Sequence, residues 1–192
     1  ANKITDHKVA VVGFAPIVNE KLKVSNLTDQ QLTDIFTGKI TNWKQVEGPN
    51  QTITVIGRTA GSGTRVNFDK YGLNGAVEIN GPTQDASGSV VQLVGQTPGA
   101  ISYVSFSYIH KSGVKPLQIN SVEPNDENVK INKWKIWSYE HMYTNNSEEN
   151  KVEDKFINYV SNDTKTLNKL GYISVSEMKV DRDAHGSVRV LK

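Results

Sequence analysis

The order of apolar and polar positions divides the chain into alternating strand-like and helix-like segments. "KVAVVGFAPIVN" (8–19) is a nearly continuous apolar run interrupted at Pro16, the pattern of a buried strand. In "LTDQQLTDIFTGKITNWKQV" (27–46), Leu32, Ile35 and Phe36 share a helical face. Thr28 and Gln31 make a capping box at its start, Leu27 staples onto Leu32, and Gly38 ends it. "TITVIG" (52–57) alternates, is rich in β-branched residues and reads as a strand. A glycine-rich turn and a short amphipathic helix closing at Gly72 follow.

The second half continues the alternation. "DASGSVVQLVGQTPGAISYVSFSYI" (85–109) predicts a helix with Ser89 and Gln92 as its capping box, a turn over Gln96–Gly99 and a strand over Ala100–Ile109. "KINKWKIWSYEHMYT" (130–144) sets Ile131, Lys133 and Lys135 against Trp134 and Ile136 and reads as a long strand. The asparagine-rich stretch 144–150 is expected to be a flexible loop. Val152, Phe156, Ile157 and Val160 suit one helix face, and "DTKTLNKLGY" adds a second helix capped by Asp163 and closed at Gly171. The final "DRDAHGSVRVLK" is polar and expected to be poorly ordered. Strands alternating with helices place the chain in the α/β class, and 192 residues suffice for one good-sized domain or two small lobes.

Composition changes this picture mainly by exclusion. Lys and Arg number 22 against 20 Asp and Glu, a net charge of +2, and the basic residues are scattered. That argues against a nucleic-acid partner. The absence of cysteine removes disulfides, thiolate metal sites and cysteine nucleophiles. His7, His110, His141 and His185 show no metal-ligand spacing, so no metal is expected, and His141 reads as structural. Trp43, Trp134 and Trp137 read as core or hinge packing. No apolar run approaches the roughly 20 residues that span a bilayer. No charged-then-apolar leader opens the chain, so any signal peptide or lipid anchor is expected upstream of Ala1.

The chemistry concentrates in "VIGRTAGSGTRVNFDKYG" (55–72), a strand, a turn of glycines and hydroxyls, and a helix start. A helix N-terminus leaves its first N–H groups unpaired and carries partial positive charge. Glycines let that backbone approach an oxyanion, hydroxyls add donors, and an arginine fork matches phosphate or carboxylate oxygens. Arg58, Ser62, Gly63 and Thr64 together make such a cradle. On pattern alone a plain helix cap fits equally well. A P-loop is excluded because Gly63 stands where its lysine would be, and a dinucleotide loop because position 66 is Val66. Ala60 stands where a nucleophile elbow around Ser62 needs glycine, and no acid–base constellation emerges, so an enzyme is not expected.

The segment "IFTGKITNW" followed by "R-x-x-G-S-G-T-R-x-x-F" resembles the second lobe of the PstS family, the phosphate-binding proteins of bacterial ABC importers. "TPGAISYVSFSYI" resembles the family's "pGaIGYv" strand, with Ser102 where glycine is usual. "INKWKIWSYEHMYT" and "FINYVSNDTKTLNKLGYISV" resemble its return strand and closing helices, so the likeness covers residues about 8 to 178.

The resemblance implies a type II periplasmic-binding-protein fold, an α/β lobe with a mixed sheet, with phosphate held by Arg58, Ser62, Gly63 and Thr64. It implies no catalysis and no cofactor, delivery of inorganic phosphate to permease subunits, and an extracellular, cell-surface or periplasmic location with a lipid anchor. On this mapping residues 1–13 are the first hinge strand, 14–134 the second lobe, and 135–192 the return strand and C-terminal helices of an incomplete first lobe. The family's "GSS/GST", "GGGSG" and "DIG-x-SSR" stretches of the first lobe are not matched. The chain is thus expected to be a fragment, a shortened form or a processed product that holds about half of the anion site and is prone to self-association. A site for another oxyanion, and a sensory or adhesive module without ligand binding, are the alternative readings.

Overall fold

A computed structural model describes residues 4–145 and 151–192. The organising element is strand β1 (Ile4–Asn19), whose apolar run is long enough to serve two sets of partners. Its first part pairs antiparallel with β9 (Trp137–Asn145), from Ile4 opposite Asn145 to Gly13 opposite Trp137, with a register shift between Lys8 and Ala10. Its last part pairs antiparallel with β6 (Ala100–Ser105), Phe14 opposite Ser105, and with β7 (Val114–Pro116), Ile17 opposite Pro116. Strand β3 (Thr54–Val55) adds to β6 in parallel, so the sheet is mixed. The lone proline of β1, Pro16, still contributes its carbonyl, which accepts from the Leu117 amide at 3.0 Å.

Two small parallel pairs flank this sheet, β2 (Asn26–Leu27) with β8 (Gln118–Ile119), and β4 (Gly57–Arg58) with β5 (Thr83–Gln84). The helices are α1 (Asp29–Phe36), α2 (Gly63–Tyr71), α3 (Ser87–Gln96), α4 (Asp126–Lys130), α5 (Lys151–Asn162) and α6 (Thr164–Lys169). A C-terminal hairpin joins β10 (Val180–Arg182) and β11 (Val188–Val190). The apolar faces read from the sequence meet in one core: Val11, Ile17 and Val18 of β1, Leu32, Ile35 and Phe36 of α1, and Val90 and Val94 of α3. The three tryptophans are buried and each indole N–H donates at 2.9 Å, Trp43 to the Gly99 carbonyl, Trp134 to the Phe14 carbonyl and Trp137 to Asn132 Oδ1.

The local signals hold where side chains close onto their own backbone. Thr28 and Gln31 form the reciprocal capping box of α1, Gly38 follows that helix at φ 80°, Gly72 caps α2, and Asp163 accepts from the Thr166 amide to start α6. Five expectations need correction. The Ser89–Gln92 capping box does not form, because α3 begins at Ser87 behind Ala86, which offers no side-chain acceptor. The strand expected over Ala100–Ile109 stops at Ser105 and turns into a 3-10 segment over Phe106–Tyr108. The long strand expected over 130–144 starts only at Trp137. Asn125 caps the preceding α4, and Asn132 at φ 57° breaks the chain direction; Trp134 and Ile136 still point inward and Ile131, Lys133 and Lys135 outward.

On α5 only Ile157 is buried, Val160 is half-buried, and Phe156 and Tyr159 stand 56% and 69% exposed. The C-terminal segment is a docked hairpin. Arg182 lies between the rings of Tyr71 and Trp137, 4.1 and 3.8 Å from their centroids, and donates to the carbonyls of Trp137 and Lys135. The expected loop over 144–150 lies outside the described residues from 146 onward; Thr144 and Asn145 belong to β9.

Gly99 tests how tightly the sheet and the Trp43 turn are joined. It sits at φ 78°, and a Cβ there would overlap the Thr52 carbonyl oxygen. Gly99→Ala should destabilise the chain by more than about 1 kcal/mol, read as a lower urea midpoint with an unchanged slope.

Candidate anion-binding site

Strand β4 is only two residues long, yet it sets the site because its partner β5 runs parallel to it, Arg58 opposite Gln84. The chain leaves both strands at the same end, reaching α2 after Thr59–Ser62 and α3 after Asp85–Ala86. Two helix N-termini therefore open beside Arg58. Ser62 caps α2, its Oγ accepting from the Arg65 amide at 3.4 Å. Gly61 adopts φ 87°, which only glycine takes without strain, and neither Gly61 nor Gly63 has an atom within 4 Å of where a Cβ would stand. Thr64 follows in the first turn, half-buried.

Arg58 is 5% exposed. Its guanidinium is held by the turn into α3: Nε donates to the Gln84 carbonyl at 3.0 Å, Nη2 to the Asp85 carbonyl at 2.6 Å, and Nη1 to Ser87 Oγ at 3.5 Å. These contacts occupy three of the five N–H groups a guanidinium carries. Among the described residues no carboxylate comes within ion-pair distance of Arg58. Thus Arg58, Ser62, Gly63 and Thr64, the four residues expected from the sequence, fall at one end of the β4–β5 pair. An arrangement of a buried cation without a counter-ion, an open glycine backbone and a helix start is chemically suited to an oxyanion.

A second layer lies behind this turn and was not foreseen. Arg65 reaches back from α2, its Nη1 donating to the Arg58 carbonyl at 2.8 Å and lying 3.3 Å from Glu78 Oε1. Its Nε is 3.7 Å from Asp69 Oδ2, one helical turn on. The Tyr103 hydroxyl donates to Glu78 Oε2 at 2.7 Å, and its ring stacks on Phe68 with centroids 4.0 Å apart. The Arg65/Asp69 spacing of four was readable as a helix pair. The approach of Glu78 was not, because it depends on Gly57, where a Cβ would overlap the carboxylate. Burial, with the Glu78 charge adding and Arg65 opposing, pushes the Asp69 carboxyl up to about 6. Burial and then the hydrogen bond to Glu78 raise the Tyr103 phenol.

The profile of the family described as PBP superfamily domain matches residues 1–164. The phosphate-binding protein PstS of Bacillus subtilis is 41% identical over 189 residues, 97% of this chain and 63% of its own length. A solved substrate-binding protein of Clostridium perfringens, assigned to phosphate ABC transport and holding bound phosphate, superposes with a TM-score of 0.81. It is 30% identical, over 90% of this chain and 72% of that one. The chain belongs to the PstS family of the PBP superfamily. An ABC-type phosphate transport receptor from Vibrio cholerae superposes with a TM-score of 0.76 at 26% identity, over 90% of this chain and 73% of that one. The chain spans about three fifths of the length of the curated PstS relatives it matches, 63% of the Bacillus subtilis protein and 57% of that from Borreliella burgdorferi. The mixed α/β architecture expected from the sequence is the one these structures share.

The carboxylate layer gives a pH test that involves no ligand. Asp69 ionises near pH 6 in the folded chain against an ordinary value of 3.8, so folding favours its protonated form. The stabilisation is full below about pH 4 and disappears as the pH rises through 6. Asp69→Asn should therefore raise stability at pH 7.5 by on the order of 1–2 kcal/mol and change it little at pH 4, as measured by thermal unfolding at both pH values.

Proposed function

We propose that this chain is the oxyanion-gripping lobe, with C-terminal segments, of the substrate-binding component of an ABC importer for inorganic phosphate. Arg58, Ser62, Gly63 and Thr64 hold the anion. The observation that carries this reading is Arg58: a buried guanidinium with two N–H groups to spare and no carboxylate partner among the described residues, beside the open start of α2. A cation in that setting is stabilised by an anion arriving from solvent. The bound phosphate in the Clostridium perfringens structure and the shared fold support the choice of ligand. Delivery to permease subunits and a location outside the cytoplasmic membrane, through a lipid anchor, follow from the same reading. So does the division into a hinge strand at 1–13, a binding lobe at 14–134 and a return segment at 135–192. The change of partners along β1, from β9 before Gly13 to β6 and β7 after it, supports that division.

A second lobe closing over the anion would add further hydrogen bonds to it. Hydrogen bonds to a charged group are each worth roughly 1.5–3 kcal/mol, so a site made by one lobe binds in the millimolar range where a two-lobed one binds in the micromolar. An NMR titration of the chain with inorganic phosphate, and with sulfate beside it, tests this reading. Saturable shifts of the Gly61–Arg65 amides at millimolar phosphate are expected, with a similar response to sulfate. Arg58→Met should weaken them by about tenfold or more. Amides that stay still throughout would reduce the turn to a helix cap.

A further inference from the structure

The layer behind the anion turn contains a side chain that the binding scheme above does not use. Arg65 is 19% exposed, and its charge is already matched by Glu78 at 3.3 Å and Asp69 at 3.7 Å. A cation so neutralised adds little attraction for a phosphate. What it does have is a set of connections to residues that would touch the anion. Its Nη1 donates to the main-chain carbonyl of Arg58, and its amide donates to Ser62 Oγ. Glu78, with a side chain 1% exposed, is itself fixed by the Tyr103 hydroxyl. The result is a continuous line from the sheet through Tyr103, Glu78 and Arg65 to the end of strand β4.

We infer that Arg65 is a positioning residue of the anion site, a brace anchored on Glu78 that aims Arg58 and Ser62 and does not itself touch the anion. The geometry gives the reason. The guanidinium of Arg58 is pinned at its far end to the turn before α3, on Gln84 and Asp85. At its near end the Arg58 amide is held by the Tyr103 hydroxyl, but its carbonyl, where the chain leaves the sheet, could swing about the ψ and φ bonds that flank the planar Arg58–Thr59 peptide. The bond from Arg65 closes that freedom, so the fork is held from both sides and loses little entropy when an anion arrives. The same residue ties α2 to β4, so the helix start and the fork keep a fixed separation. A lysine at position 65 would keep the charge but offers a single nitrogen, so it could not face Asp69 as Nε does while bonding the Arg58 carbonyl beside Glu78 as Nη1 does.

The inference rests on the phosphate reading for its functional meaning, but its structural content is testable without ligand. Arg65→Gln alone would leave Glu78 buried without its cation, so the informative variants are Arg65→Lys and the neutral pair Arg65→Gln with Glu78→Gln. In the full chain, labelled at arginine, the Arg58 Nε–H resonance reports the fork directly. In both variants, with circular dichroism unchanged, we expect that resonance to move and its exchange with solvent to quicken by about tenfold, while inorganic phosphate binds about tenfold more weakly. In the unaltered chain, phosphate should shift the Arg58 Nε–H more than the Arg65 Nε–H. An Arg58 resonance unchanged in position and exchange in either folded variant would overturn the inference. So would a larger phosphate shift at Arg65, which would make it a ligand instead of a brace. If the unaltered chain does not respond to phosphate, the functional reading fails while the Arg58 resonance still decides whether the brace exists.

Discussion

A guanidinium removed from water must have its donors satisfied, and the region around Arg58 is arranged to do that without spending its charge. Three carbonyl or hydroxyl oxygens from the turn into α3 take up part of the fork. None of these oxygens carries a full negative charge, so the cation remains electrostatically open. This requirement explains features that look arbitrary in isolation. Strands β4 and β5 are two residues each, yet they must pair in parallel to bring Gln84 and Asp85 alongside Arg58. Helix α3 starts directly at Ser87 behind Ala86, which brings the Ser87 Oγ to 3.5 Å from the arginine. Position 57 must be glycine, because Glu78 occupies the volume a Cβ would need.

The sheet that supports this region depends on one continuous strand. β1 is hydrogen-bonded to β9 along its first part and to β6 and β7 along its last, so strain in one set of partners passes to the other through the same backbone. The C-terminal hairpin fastens that junction from outside. Asp181 accepts from Lys8 of β1 at 2.8 Å and from the Tyr139 hydroxyl of β9 at 2.9 Å, and Arg189 lies 3.1 Å from its other oxygen. These donors hold the Asp181 carboxyl down to about 2, Lys8 contributing most. Arg182, inserted between Tyr71 at the end of α2 and Trp137 at the start of β9, links strand β9 to the helix whose other end follows the Thr59–Ser62 turn.

What could be read from the sequence was whatever residues encode locally. The Thr28–Gln31 box, the Asp163 cap and the Gly72 stop are written within four residues, and the cluster Arg58, Ser62, Gly63 and Thr64 within seven. The misreadings share a different cause. The alternation over 130–136 is genuine, with Trp134 and Ile136 buried, but alternation reports which side chains face the core and not whether the backbone finds a strand to pair with. The final segment looked too polar to fold. Its anchors are polar residues, Asp181 and Arg182, whose partners lie about 40 to 170 residues away in the chain, where no window can see them. Glu78, Arg65 and Tyr103 escaped for the same reason: their meaning exists only once β6, α2 and β4 are assembled.

That assembly places two carboxylates and one guanidinium close to a region suited to an anion, an arrangement with an internal cost. Glu78 and Asp69 repel one another, which helps to push the Asp69 proton affinity upward, and their negative charge also opposes an anion at the adjacent turn. A lobe selected only for affinity would not keep both. The cost is compensated if the pair is needed for stiffness: Glu78 holds Arg65, and Asp69 holds the same guanidinium from the next turn of α2, so the fork of Arg65 has one available direction. Long-range repulsion from a buried pair weakens with distance and is partly cancelled by Arg65, whereas misaiming a buried fork by a fraction of an ångström forfeits directional hydrogen bonds. On that balance geometry outweighs field, and a rigid helix start flanked by acids is better suited to an oxyanion than a looser one without them.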